Sequence, residues 1–132
     1  MSPAQGELVE RAREAASRAW APYSHFHVGA AVLGSNGEII PGCNVESASY
    51  GISCCAERVA LFSAVAQGVK PVRLAVSCVD APADAPESSK TPCGACRQII
   101  LDLMGGEALI EIDGVGEFTA LELLPKGFIL PE

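Results

Sequence analysis

Basic side chains are scarce in this 132-residue chain: 9 Lys and Arg stand against 16 Asp and Glu, a net charge of −7 with His neutral. No Lys/Arg cluster forms anywhere along it, and proteins that grip a phosphate backbone carry one, so nucleic acid is not the expected partner. Long apolar runs are missing too. None approaches the roughly 20 residues that cross a bilayer, so no membrane span is expected. The opening run Met1-Ser2-Pro3-Ala4-Gln5-Gly6-Glu7 lacks the basic-then-apolar layout of a secretory leader. Internal repeats and low-complexity tracts are absent. One compact domain over residues 1–132 is expected, large enough for a core but small for a chain that must surround a substrate unaided, which suits assembly from several copies.

Cysteine, by contrast, is plentiful, with 6 in the chain. Cys93 and Cys96 are spaced i, i+3, so at the first turn of a helix both sulfurs can point the same way. A distant pair, Cys54-Cys55, offers a third sulfur. Three thiolates leave one tetrahedral position of a zinc ion open for water, the pattern of a catalytic rather than a structural site. A bound water's pKa can fall from about 15.7 to about 7, an upper bound of about 12 kcal/mol in the cost of hydroxide. Glu57 supplies a carboxylate for proton transfer. Three thiolates over-neutralise a divalent ion, so compensating positive charge is expected, and Arg58 and two helix N-termini can provide it. A Cys-x-x-Cys pair alone fits a structural zinc knuckle or a thiol-redox site equally well. The remaining cysteines, Cys43 and Cys78, lie in apolar runs and read as small buried hydrophobes. Thiols required as metal ligands need a reducing compartment, which predicts a cytoplasmic protein.

Periodicity outlines the fold. A helix is predicted from about Gln5 to Trp20, with Leu8, Ala12, Ala15, Ala16 and Ala19 on its apolar face and Pro22 ending it. Strands are predicted over Val28 to Leu33 and Glu38 to Cys43, joined by the turn Gly34-Ser35-Asn36-Gly37. A second helix follows over Ala56 to Gln67, with Val59, Phe62 and Val65 facing inward and Gly68 closing it. Val72 to Val79 reads as a strand buried on both sides. Asp80 to Thr91 is a loop, Gly94 to Met104 a helix with core contacts from Ile99, Ile100 and Leu103, Leu109 to Ile112 a strand and Glu117 to Thr119 a weak one. Strands alternating with helices make the fold α/β, a three-layer α/β/α sandwich.

The run Cys55-Ala56-Glu57 followed by Pro92-Cys93-Gly94-Ala95-Cys96 resembles the signature of zinc-dependent nucleobase deaminases in its three-cysteine form. The likeness spreads over nearly the whole chain through Tyr23 to Ala31, Gly42 to Tyr50, Cys96-Arg97-Gln98 and Glu122 to Phe128, and the chain resembles the small homotetrameric cytidine deaminases. That resemblance implies a mixed five-stranded sheet, a zinc ion on Cys55, Cys93 and Cys96 with Cys54 unligated, and Glu57 as the catalytic acid and base. It implies that Asn44 and Glu46 bind the ribose, that Phe26 packs on the pyrimidine with Ala56 beside it, and that Ala48, Tyr50 and Phe128 reach into a neighbouring subunit's site. The implied activity is hydrolytic deamination of cytidine and deoxycytidine in pyrimidine salvage. Ser47 stands where Asn is more usual, so hydrogen bonding in that loop is expected to differ. A blasticidin S-type deaminase shares the metal motif and length; the intact Asn44-Val45-Glu46 run favours a nucleoside. A non-catalytic zinc or thiol module is the reading from a different class.

Overall fold

The structure, a computed structural model, describes residues 5–131; Met1 to Ala4, part of the run on which the leader expectation was read, and Glu132 lie outside them. Helix α1 (Gln5–Ala16) precedes the hairpin of β1 (Val28–Gly34) and β2 (Ile39–Cys43). Helix α2 (Ala56–Ala66), strand β3 (Pro71–Cys78) and helix α3 (Gly94–Met104) come next, then β4 (Leu109–Ile112), β5 (Gly116–Thr119) and a short helix α4 (Ala120–Leu123). The strands form one mixed five-stranded sheet in the order β2-β1-β3-β4-β5. Only the β3–β4 pair is parallel; β1 runs antiparallel to both β2 and β3.

Side-chain alternation along the strands builds the two cores. Ala31 and Ala75 face α1, packing on Leu8, Val9 and Ala12. Ala30, Val32, Leu74, Val76 and Ile110 face the other way, against Ala56, Ala60, Leu61 and Ala64 of α2 and Ile100 of α3. The α/β/α sandwich is thus the observed architecture. Strand β3, at the centre, is buried without interruption from Leu74 to Ser77. No helix among the described residues is long and apolar enough to cross a membrane.

The topology also determines where the loops meet. Because β1 is antiparallel to both β2 and β3, those two strands run parallel to each other, and α2 and α3 are crossovers on the same face of the sheet. Both helices therefore begin beyond the carboxyl ends of parallel strands, at one edge of the sheet, the usual place for a ligand site in α/β folds.

Three expectations require correction. Helix α1 stops at Ala16 rather than Trp20. The backbone N–H of Trp20 donates to Asn44 O at 2.9 Å and its carbonyl accepts from Glu46 at 2.9 Å, so the chain is drawn into an extended bridge beside Val45. In α2 the inner face is Ala56, Ala60, Leu61 and Ala64, while Phe62 and Val65 face outward, exposed, and Val59 is half-buried. Small residues are needed there because α2 lies directly on β2. Helix α4 was not anticipated, although Thr119 and Glu122 form a capping box, with Glu122 N donating to Thr119 Oγ1 at 3.2 Å and Thr119 N to Glu122 Oε1 at 2.9 Å.

Two glycines allow the helices to approach this closely. A methyl group on Gly42 would stand 2.4 Å from Ala60 N and 2.6 Å from Ala56 O in α2, and one on Gly29 would stand 1.8 Å from Ala12 O in α1. These obstacles are backbone atoms, which do not rotate away. Gly42→Ala and Gly29→Ala are each expected to destabilise by about 3 kcal/mol, at the upper end for overpacking, lowering Tm by about 10 °C. Gly6→Ala, with nothing within 4 Å of the added methyl group, is the control and should leave Tm unchanged or slightly raised. Calorimetry on the three variants checks this; equal melting temperatures would refute the close-approach account.

Candidate active site

Cys55 and Cys93 occupy the N-cap positions of α2 and α3, and neither uses its side chain to cap its helix. The sulfurs stay free, and the positive ends of two helix dipoles converge on them. Cys96, one turn into α3, completes a triad whose three sulfur atoms all lie within 4.8 Å of one another. Two separations are 3.8 Å (Cys55–Cys93) and 3.5 Å (Cys93–Cys96). Sulfurs bonded tetrahedrally to zinc at about 2.3 Å stand about 3.8 Å apart, so the donor set and its spacing fit that ion. Among the described residues this is the one cluster of at least three metal-binding side chains with such convergence. Cys54 is not part of it.

Charge in the triad is unevenly held. A hydrogen bond from Cys96 draws the Cys55 thiol down to about 5, assisted by Arg58 and Cys93 against the effect of burial. Cys96, donating to that charge and buried beside it, is pushed far above the usual thiol range. A divalent cation is what would let all three sulfurs carry charge together. Arg58 Nη2 lies 3.6 Å from Cys55 Sγ and 3.5 Å from Ser53 O, and its bond to Cys55 raises an already high pKa. Its guanidinium thus sits against the thiolate in the place foreseen for a compensating charge.

Glu57 is 4% exposed, on the first turn of α2. Burial pushes its carboxyl up to about 7, and the nearby Cys55 charge adds to the rise while Arg58 opposes it. Around neutral pH such a group exists in both proton-accepting and proton-donating forms. It opens into a cavity of about 190 Å³ together with Cys55, Cys93, Ala56, Phe26 and Asn44.

The other anticipated residues divide into two groups. Asn44 lines the cavity and braces the start of β1, accepting from Val28 N at 2.8 Å and donating to Phe26 O at 2.8 Å. Phe26 is held over the cavity by a turn in which His25 adopts a left-handed backbone (φ 57°) and Phe26 N donates to Ser24 Oγ at 3.0 Å. Glu46 lies outside this cavity, lining another with Tyr23, Ser24, Tyr50 and Ser53. Its carboxylate accepts from the backbones of Tyr23 and Ser24, each at 3.1 Å, and from the Ser24 hydroxyl, bonds that hold its pKa down. Ala48, Tyr50 (74% exposed) and Phe128 (65% exposed) are on the surface, away from the triad cavity. The Phe128 backbone is pinned by Gln98, which accepts from its N–H at 3.2 Å and donates to its carbonyl at 2.7 Å. Ser47 N donates to Ser53 Oγ at 2.9 Å and its own hydroxyl accepts from Ser49 N at 3.1 Å, giving the loop its own closure.

Sequence reading passed over several residues that shape the cavity. Cys78, expected to be an ordinary core residue, lines it, with burial pushing its thiol up to about 11. Ser89, Lys90 and Thr91 form one wall. Arg97, adjacent to a proposed ligand, braces that wall through Pro92 O (2.8 Å), Thr91 Oγ1 (3.1 Å) and Leu123 O (2.6 Å). Its position directly after Cys96 was the available signal.

Comparison with known proteins agrees with this geometry. The family model described as the cytidine and deoxycytidylate deaminase zinc-binding region matches residues 3–110. A cytidine deaminase of Sporosarcina psychrophila is 38% identical over 126 residues, covering 92% of this chain and 89% of the relative. The crystal structure of cytidine deaminase from Burkholderia pseudomallei superposes with a TM-score of 0.82 at 37% identity, covering 96% of this chain and 100% of that one. A blasticidin-S deaminase of Bacillus cereus is 36% identical over 124 residues, covering 90% of this chain and 88% of the relative. This chain belongs to the cytidine and deoxycytidylate deaminase zinc-binding family.

Proposed function

We propose that the protein is a zinc-dependent hydrolytic deaminase that converts cytidine and deoxycytidine to uridine and deoxyuridine, and that residues 1–132 form a single domain. The observation that carries this reading is the buried Glu57 carboxyl facing the same small cavity as the Cys55 and Cys93 sulfurs. Zinc held by Cys55, Cys93 and Cys96 would supply Lewis-acid activation of water. Glu57 takes one proton from the attacking water and passes it to the ring nitrogen N3, then takes the second from the new C4 hydroxyl and passes it to the amine as the C4–N bond breaks and the C4 carbonyl forms. Water is consumed and ammonia leaves, so the atoms balance. Phe26 and Ala56 bound the base, Asn44 and Glu46 hold the sugar, and Arg58 offsets the charge of the thiolates.

The surface positions of Ala48, Tyr50 and Phe128 support a homotetramer in which they complete a neighbour's site. The six cysteines are all unpaired thiols, which suits a reducing, cytoplasmic setting and a role in pyrimidine salvage. A small nucleoside, with neither nucleic acid nor membrane as partner, is consistent with the net charge of −7. A blasticidin S-type substrate is the second reading, favoured by the 36% identical relative; the Asn44 and Glu46 pair weighs for the nucleoside.

Ammonia release from cytidine by the zinc-loaded protein tests the reading. Glu57→Gln should keep its zinc and lose about 10²- to 10⁴-fold in kcat, the range for a general acid–base. Release from blasticidin S but not from cytidine would transfer the site to the second reading, and release from neither would leave a non-catalytic zinc or thiol module. Arg58→Ala should likewise retain metal and lose activity; full turnover at full metal content would remove its proposed role. For the shared site, mixing inactive Glu57→Gln subunits with impaired Phe128→Ala subunits should regenerate activity above that of either alone, because some mixed sites have both residues intact. No gain on mixing would argue for sites complete within one chain.

A further inference from the structure

Behind the triad cavity lies a second one of about 360 Å³, bounded by Arg13, Ser77, Asp113 and Gly114 and sharing two residues, Cys78 and Lys90, with the first. Lys90 is only 9% exposed. Its Nζ donates to Ala83 O at 3.5 Å and lies beside Gly114, 3.8 Å from where a side chain there would begin. Opposite charge in this cavity comes from Asp113, which accepts two hydrogen bonds of 2.7 Å from Arg13 and one of 2.8 Å from Ser77. The Lys90 backbone is fastened as well, its N–H donating to Glu87 O at 2.9 Å and its carbonyl accepting from Cys78 Sγ at 3.6 Å.

These contacts bear on the wall Ser89–Thr91. The hydroxyls of Ser89 and Thr91 donate to Pro86 O (2.6 Å) and Ser88 O (3.4 Å), both within the same loop. Anchoring to the rest of the fold comes from His27, whose backbone N–H and ring Nδ1 meet Asp80 at 2.7 and 2.6 Å, from Cys78 on the Lys90 carbonyl, and from Arg97 at the far end. Between those ends a buried ammonium reaches back across the loop. Burying an ammonium is costly, and methionine would fill similar space without charge, so its place here calls for a task that charge performs.

We propose that Lys90 is a positioning residue for the deaminase pocket: its ammonium, drawn into the rear cavity by Asp113 and tied to Ala83, fixes the Ser89–Thr91 wall against which substrate is bound. The inference deepens the deaminase reading and rests on it for the effect on substrate. Its mechanical part does not depend on that reading. Asp113 retains Arg13 and Ser77 when Lys90 is neutralised, so no buried charge is orphaned and global stability should change little.

The test uses the full-length, zinc-loaded protein as wild type, Lys90→Met and Lys90→Arg, with amide hydrogen exchange, Tm, KM and kcat for cytidine measured on each. Lys90→Met should exchange faster over residues 84–93, keep its zinc and its Tm, and raise KM about tenfold with a smaller change in kcat, a displaced wall being felt first in binding geometry. Lys90→Arg, which restores the charge, should recover most of both effects. Unchanged exchange and KM in Lys90→Met would overturn the proposal, as would a uniform rise in exchange with a falling Tm, or a failure of Lys90→Arg to recover either reading. If Lys90→Met does not fold, Lys90→Gln, which keeps a donor for Ala83 without charge, decides by the same readings. A wild type inactive on cytidine would refute the substrate reading alone, because loop exchange still reports whether Lys90 holds the wall.

Discussion

Convergence of three sulfurs within 4.8 Å is the constraint on which the rest of this structure depends. Like charges so close, in a partly buried site, repel strongly unless positive charge surrounds them. The fold meets that demand from several directions: two helix N-termini at which Cys55 and Cys93 stand with uncommitted side chains, the Arg58 guanidinium at 3.6 Å from Cys55, and a donor geometry matched to a divalent cation. None of these would meet without the parallel relation of β2 and β3, which starts both crossover helices at one edge of the sheet. Topology and electrostatics are here one requirement.

Helix α2 carries the heaviest demands, since it presents Cys55 at its N-cap and Glu57 in its first turn. Its distance from the sheet is set by Gly42 and by a face of alanines. Glu57, in the first turn of the same helix, is buried as well. A carboxyl in this position lacks water, and its pKa rises to about 7 chiefly for that reason. The helix that small residues bring down on the strand thus carries the carboxyl proposed to move protons.

The sequence was most legible where local chemistry and fold coincide. The boundaries of α3 and β4 are those periodicity predicted, and both helix starts fall at the cysteines of the motif. On α2, side-chain size is a poor guide to the inner face. Phe62 and Val65 are the larger residues, yet close approach to Gly42 admits only the alanine face. The cavity wall was less legible still. Lys90 lies in a loop of prolines and serines with no periodicity, and its side chain is placed by tertiary structure, its Nζ 3.8 Å from the Cβ position of Gly114, a residue 24 positions away. Helix α4 had a readable signal in Thr119 and Glu122, but four residues give no period to detect.

Asn44 illustrates why an internal duty and a ligand-binding one are compatible in a single side chain. A carboxamide has two N–H donors and two acceptor lone pairs. One of each is used on Phe26 O and Val28 N, at 2.8 Å in both cases, which leaves one donor and one lone pair for the cavity that Asn44 lines. The used half fixes the rotamer and the orientation of the amide, so ordering it for a ligand costs little further entropy. Glu46 follows the same logic more loosely, being committed to the 23–24 turn and opening into the neighbouring cavity. For it to join Asn44 on one sugar, the ligand must extend from the triad cavity toward the Tyr23 and Tyr50 side. A base bound over Glu57 with its sugar pointing outward has that shape; a free base does not.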